Sequence, residues 1–473
     1  MMGFFKNILY NLPEVKGPTQ KRLSFKEKLK WTMIILVLFF VLGMVPLFGL
    51  GQNALERFEL LSVILGASFG SIISLGIGPI VTASIVLQLL NGSGILKFDL
   101  TKQEDRKTFQ GIQKLSAIFF ILFEACIYVF MSGLAPTAIG DPISSGIMTA
   151  PLYFQLELVL VFQLFLGGII ILFMDEVVSK WGFGSGVSLF IAAGVSQSLF
   201  IRAFSPLPSP NQPNIATGAI PVLFQSLAAG DPQTALLMFA GVASTIVVFV
   251  MAVYSQAMKV EIPLSFGRVR GHGIRWPLSF IYTSNIPVIL VAALLANIQL
   301  WARLLESWNL PLFGTFTQDG APASGLVEWM ASPNIVGKAI QGNLAFIDVG
   351  HAGVYMLIML VGCVIFSWFW VQTSGMDAKS QAKQIMASGL QIPGFRKDER
   401  VLERLLNRYI GPLTIMGAIA VGILAAAADL SGALTSGTGL LLTVMIIYKL
   451  YEEIAKQHMM DMNPMLRKFM GGA

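Results

Sequence analysis

The sequence predicts an all-α integral membrane protein: ten transmembrane helices in two pseudo-symmetric five-helix halves, with one re-entrant half-helix. Three observations predict it. Of 473 residues, 55% are hydrophobic and only 12% charged, with a mean hydropathy of +0.72, whereas soluble domains carry about a quarter charged residues. Ten apolar stretches of spanning length run from Thr32 to Tyr448. Finally, all of the 32 Lys and Arg except Arg57, Arg202, Arg303 and Lys338 fall in segments that an even-odd count assigns to one side. The positive-inside rule makes that side, with both termini, cytoplasmic.

Residues 1–31 form a polar, basic, amphipathic cytoplasmic N-terminus, and the run Thr32–Leu50 is long enough to be a membrane anchor rather than a cleaved signal. The remaining spans are Gly76–Leu96, Leu115–Gly133, Leu152–Met174, Phe183–Ile201, Ala235–Met258, Leu278–Leu300, Ala352–Met376, Tyr409–Ala428 and Leu430–Tyr448. The first half then covers 32–201, an external linker 202–234, the second half 235–454 and a cytoplasmic tail 455–473. Five spans per half is odd, so the halves have opposite orientation, the arithmetic of inverted-repeat membrane folds.

Leu60 to Leu96 contains no charge, too long for one crossing and slightly short for two with a turn. Its first part, about 60–75, carries Ser62, Gly66, Ser68, Gly70, Ser71 and Ser74. Exposed backbone and hydroxyls avoid lipid, so this part is expected to fold back against protein as a half-helix. External segments 139–151, 202–234 and 301–351 are rich in Pro and Gly and read as short loops and caps. Two cytoplasmic loops differ. Loop 259–277 reads as a projecting ribbon turning near Gly271-His272-Gly273, and loop 377–408 as a helix, a turn at Pro393-Gly394 and a helix resuming at Asp398.

Gly66-Ala67-Ser68-Phe69-Gly70 satisfies G-x-S-x-G, but that motif needs a strand–turn–helix context and a histidine base. The three histidines lie in a loop (His272), at a membrane boundary (His351) and in the tail (His458), so the chain is not expected to be an enzyme. Nucleotide-binding and zinc-protease signatures do not occur. Cys126 and Cys363 both fall in spans, indicating neither a disulfide framework nor a metal site, and no cofactor is expected.

Glu124 stands mid-span, where a charged side chain costs about 2.5–3.5 kcal/mol on insertion scales. It needs polar company, for which Thr82, Gln88, Asn285 and Asn297 are candidates, either as a structural helix–helix hydrogen bond or as part of a gate or pathway. The i,i+4 pairs Ile77/Val81 and Val187/Ile191 each share a helix face, which by itself indicates ordinary packing. Arg268, Arg270 and Arg275 on the ribbon, and Arg396, Lys397 and Arg400 beside the Pro-Gly turn, are cationic tips away from the headgroups, suited to RNA phosphate or acidic protein surfaces.

Five stretches carry a resemblance: FKEKLKW, GIGPIVTASIVLQLL, DEVVSKWGFGSGVSLFIAAGVSQ, IPLSFGRVRGHGIRWPLSFIYTSNIPVIL and GTGLLLTVMIIYKLYE. In these the chain resembles the SecY family of protein-conducting channels, the alpha subunits of the Sec translocon, in archaeal/eukaryotic-like form. The resemblance implies a pore ring of Ile77, Val81, Val187, Ile191, Ile289 and Leu442, with valine at 187 where isoleucine is common. An aliphatic ring holds no ions, dewets when narrow and deforms around varied chains. It also implies a plug of Leu60, Leu61, Ser62, Val63, Ile64, Leu65, Gly66, Ala67, Ser68, Phe69 and Gly70. Thr82, Glu124 and Asn297 resemble the lateral-gate cluster, and Arg268, Arg270, Arg275 and Arg396 the docking loops, with Lys397 and Arg400 beside them.

The function so implied is passage of unfolded secretory polypeptides across the cell membrane and sideways release of transmembrane segments into lipid. Its partners would be SecE and Secβ subunits, the ribosome through protein and rRNA surfaces, and nascent secretory and membrane chains. The alternative is a secondary transporter of a small solute, since inverted halves, a broken helix and a buried carboxylate are its features too. Saturable solute uptake lost in Glu124→Gln would favour it, and cleavage lost in Ser68→Ala would favour an intramembrane protease.

Overall fold

In hydrocarbon a backbone must satisfy its own N–H and C=O groups, so apolar stretches of this length form helices. The computed structural model describes residues 12–20, 23–50, 70–92, 95–96, 98, 103–130, 134, 136, 150–209, 212–266, 273–283, 286–307, 310–317, 322–387, 390–391 and 398–462. α1 (Phe25–Met44) starts at a reciprocal capping box between Ser24 and Glu27. Met33, Val37, Val41 and Met44 stay exposed along one side of it, as a lipid-facing stripe requires.

The chain returns beside the end of α1. Leu47 N donates to Gly70 O (2.8 Å) and Ile72 N to Val45 O (3.0 Å). Residues 70–77 are consecutive turns, with Ser74 N bonded to Ser71 O and Gly76 N to Ile73 O. This corrects the last part of the expected half-helix: Gly70 (φ 81°) and Gly76 (φ 56°) adopt left-handed backbone, which interrupts a helix. Leu60 to Phe69 lie outside the described residues.

There follow α2 (Gly78–Gly92), α3 (Gln103–Phe130), α4 (Ala150–Trp181) and α5 (Gly186–Phe204). A short hairpin, β1 (Pro208–Ser209) and β2 (Gln212–Ala216), and α6 (Ala219–Ala229) lead to α7 (Pro232–Ala257). α7 starts sharply because Asp231 accepts from Gln233 N and Thr234 N and Pro232 occupies the first turn. Next come β3 (Lys259–Phe266), β4 (Gly273–Ser279) and α8 (Ile286–Ser307), then β5 (Thr315–Phe316), β6 (Pro322–Ser324), α9 (Leu326–Met330) and α10 (Ile335–Ile340). The chain ends with α11 (Phe346–Thr373), α12 (Ala378–Ala387), β7 (Leu390–Gln391), α13 (Glu399–Leu430) and α14 (Gly437–Met462).

Each of the ten apolar stretches overlaps a helix: α1–α5, α7, α8, α11, α13 and α14. Among the described residues, seven helices are by themselves long and apolar enough to cross a membrane. Of the other three, α2 has only 15 residues, and α1 and α14 carry Lys and Glu near one end. The seventh span, expected from Leu278, begins later. Leu278 and Ser279 pair with Val260 and Lys259 in the β3–β4 ladder, and hydropathy alone does not separate a short buried strand from a helix.

The two predicted cytoplasmic loops form one antiparallel sheet in the order β4-β3-β7, joined by Ser265↔Gln391 and Phe266↔Leu390. Ile262 and Leu278 of the sheet share an apolar cluster with Ala382 and Ile385 of α12 and Leu402 and Leu406 of α13. The expected external loop 301–351 also holds folded structure: β5, β6, α9 and α10, secured where Asp348 accepts from Lys338 Nζ (2.6 Å) and Ala345 N (2.9 Å).

One central core runs from Ile35 and Phe39 of α1 to Leu441 and Met445 of α14. α2 packs on α3, α8 and α11, while α14 packs on α5, α7, α13 and α1. Residues from both ends of the chain thus meet around one axis. The 70–77 segment is held close to α4, since a Cβ on Gly167 would lie 1.8 Å from Ile72 O.

Candidate functional site

Five of the six expected ring residues meet. Ile77 and Val81 at the start of α2, Ile191 of α5, Ile289 of α8 and Leu442 of α14 line one cavity of about 20 Å³, together with Ala292, Ala293, Thr438 and Gly439. That volume admits about one water. Ile77, Val81, Ile191 and Leu442 are all buried. Val187, one turn before Ile191, lines the adjoining cavity of about 370 Å³, to which Val81 and Ile289 also contribute. This wider vestibule mixes Ile446 and Leu450 with Ser84, Gln88, Asp175, Lys449 and Glu453, so a polar entrance narrows to an aliphatic waist.

Local structure aims these side chains. Asp175, near the end of α4, accepts from Val187 N (2.9 Å) and so fixes the first turn of α5. Only glycine fits beside it, because a Cβ on Gly186 would lie 2.6 Å from Asp175 Cα. On α14, Thr438, Leu442 and Ile446 follow at i+4 intervals, so one face passes from the far side of the waist to the vestibule.

The expected polar trio also meets, across three helices. Asn297 Nδ2 of α8 donates to Thr82 Oγ1 of α2 (3.0 Å) and to its own Ala293 O (2.9 Å). Thr82 Oγ1 has Gly78 O at 2.9 Å and Glu124 Oε1 of α3 at 3.3 Å as acceptors. Thr82 and Glu124 are buried. Of the other candidate partners, Gln88 lines the vestibule, its Oε1 without a partner among the described residues, and Asn285 lies outside them.

Of the basic tips, Arg268, Arg270, Arg396 and Lys397 lie outside the described residues. Arg275 is exposed on β4 and donates to Glu261 Oε2 of β3 (2.9 Å). Arg400 is exposed in the first turn of α13. Lys259, at the root of the ribbon, reaches Glu452 Oε1 of α14 (2.7 Å), and this hydrogen bond raises its pKa above the ordinary lysine value.

Two features escape the reading of the sequence. Asp429 reads there as a lone residue between adjacent spans. In the fold it is partly buried and accepts from Tyr355 OH of α11 (2.8 Å), Thr438 N (2.9 Å) and Thr438 Oγ1. Its signal in the sequence is that two helices cannot reverse about one residue, so one predicted boundary there has to be misplaced. The N-terminal segment, expected only to be amphipathic, straps α3 to α4. Lys114 binds Pro13 O and Glu176, Lys180 binds Glu14 and Val15 O, and Trp181 Nε1 donates to Lys16 O (2.9 Å).

The SecY family model matches residues 71–451. The chain is 46% identical over 471 residues to the protein translocase subunit SecY of Methanothermobacter thermautotrophicus, covering 99% of this chain and 98% of that one. A solved protein-conducting channel superposes with a TM-score of 0.80 at 41% identity, covering 96% of this chain and 97% of that one. Sec61 in the canine ribosome–channel complex from the endoplasmic reticulum does so at 0.77 and 40%, with the same coverage. With a family match over most of its length and a relative this similar end to end, the chain belongs to the SecY family.

Proposed function

We propose that the chain is the channel-forming subunit of a protein translocase, passing unfolded polypeptides across the cell membrane and releasing apolar segments sideways into the bilayer. The observation that carries this is the waist: Ile77, Val81, Ile191, Ile289 and Leu442, drawn from four helix regions spread along the chain, close on about 20 Å³ beside a 370 Å³ vestibule. Such a ring binds no ion and no defined solute. It yields to an extended chain by rotamer changes and small helix shifts. The Thr82–Glu124–Asn297 contact gives a seam between α2, α3 and α8 that is cheap to remake, which suits lateral exit.

The vestibule faces the cytoplasm in this reading, with both termini on that side. Residues 60–70 act as the plug that closes the far side of the waist. The β4-β3-β7 sheet and the first turn of α13 receive the ribosome, and the exposed apolar sides of α1 and α7 offer surface to lipid and to small membrane subunits of the SecE and Secβ kind. The driving work comes from the elongating ribosome or another partner. Crosslinkers placed at Ile77, Val187 and Ile289 test this: a stalled secretory chain should react at all three. A stalled intermediate that reacts only with lipid-facing positions such as Val247 of α7 would refute it.

A further inference from the structure

Apart from Glu124 and Asp175, the helix bundle holds the carboxylate of Asp429, whose contacts converge on the waist from the side away from the vestibule. Asp429, at the end of α13, takes two bonds from Thr438, one from the backbone N–H (2.9 Å) and one from the hydroxyl. A third comes from Tyr355 OH of α11 at 2.8 Å. Tyr355 and Thr438 are both buried. The carboxylate therefore caps the start of α14 from a different helix, where free N–H groups and the positive end of the helix dipole favour an anion.

Thr438 is also a wall of the constriction. It lines the 20 Å³ cavity beside Gly439 and Leu442, and Leu442 follows it by one turn on the same face. The start of α14 has no room to slide toward α13, because a Cβ on Gly437 would lie 2.0 Å from Ala428 C and 2.3 Å from Ala428 O. Three helices are thus tied together at the level where α14 presents its aliphatic contribution to the ring.

We propose that Asp429 is a positioning residue that, through Thr438 and braced by Tyr355, holds the Leu442 side of the constriction shut. This rests on the channel reading above. A passing chain has to displace Leu442 outward from Ile77 and Ile289. With the first turn of α14 pinned, that displacement bends α14 against its own anchored end. With the pin released, the first turn moves with the side chain and the ring loosens.

The test uses the full chain with its companion subunits in planar bilayers, reading ion conductance without substrate, alongside translocation of a secretory protein into vesicles. Thr438→Val and Tyr355→Phe each delete one hydroxyl with little change of shape and should raise the resting conductance about threefold or more, the weight of one hydrogen bond inside a membrane protein. Ser367→Ala, which removes a buried 2.9 Å contact to Thr283 away from the waist, should remain at the wild-type level. Wild-type conductance in both Thr438→Val and Tyr355→Phe overturns the proposal, as does a leak in Ser367→Ala equal to that in Thr438→Val. Absence of translocation by the unmodified complex would instead count against the channel reading.

Discussion

Asn297 Nδ2 lies 3.0 Å from Thr82 Oγ1, so α8 and α2 are joined across the bundle by one side-chain hydrogen bond, which Thr82 extends to Glu124 of α3. Such bonds are worth about 0.6 kcal/mol on average inside membrane proteins, a roughly threefold effect. Asn297→Ala should therefore favour the parted seam and let less hydrophobic signals insert. A graded signal series measures this, and an unmoved insertion threshold would sink the gate assignment.

The waist should be sensitive to polarity more than to size. Leu442→Asn places a group that holds water among Ile77, Val81, Ile191 and Ile289, and an apolar constriction gates by staying dry. Resting ion conductance should rise well above that of Leu442→Met, which keeps the volume and the apolar surface. Equal conductance of the two variants would show that the ring is not the barrier.

Arg275 and Arg400 are exposed, and the Arg275–Glu261 pair is solvated on both sides, so it adds little to stability. Arg275→Glu with Arg400→Glu should leave the chain folded while weakening ribosome binding at low salt. Every phosphate that is no longer neutralised should lower the slope of log affinity against log salt by about one unit. An unchanged affinity and slope would exclude these two positions from the docking surface.

The strap over α3 and α4 carries a pH dependence of known sign. The Lys180 hydrogen bond holds the Glu14 carboxyl below its ordinary value despite some opposing desolvation. Its contribution is complete above the pH at which a free glutamate titrates, and it is lost only as the pH falls through the lower, folded-state value. Limited proteolysis of residues 12–16 should therefore be slow from neutral to mildly acidic pH and accelerate below that. Glu14→Gln should cut faster at neutral pH and lose the acid-dependent step.

Most of the helical architecture is legible because lipid imposes one rule on every spanning residue. Ten apolar stretches suffice to find ten helices, and a carboxylate in the middle of one suffices to infer polar neighbours for Glu124. What escapes depends on pairing between distant segments. Leu278 reads as the start of a span because hydropathy does not reveal its ladder partner Val260. Asp429 merely falls between the expected spans Tyr409–Ala428 and Leu430–Tyr448, because its donors, Tyr355 and Thr438, come from other helices. Ile77 and Val187 read as ordinary packing, since the same aliphatic residues serve a core and a constriction. Only the resemblance to SecY singles them out, and the cavity geometry brings Ile77 to the waist and Val187 to the vestibule beside it.

The strand pairing Ser265↔Gln391 gives the two loops a common mechanical fate. A load placed on Arg275 is shared by β7, Leu390–Gln391, and the Lys259–Glu452 contact passes it to α14, the helix that bears Leu442. Whatever leans on this paddle therefore exerts torque on the bundle as a unit, and severing the β3–β7 rungs would uncouple grip from leverage.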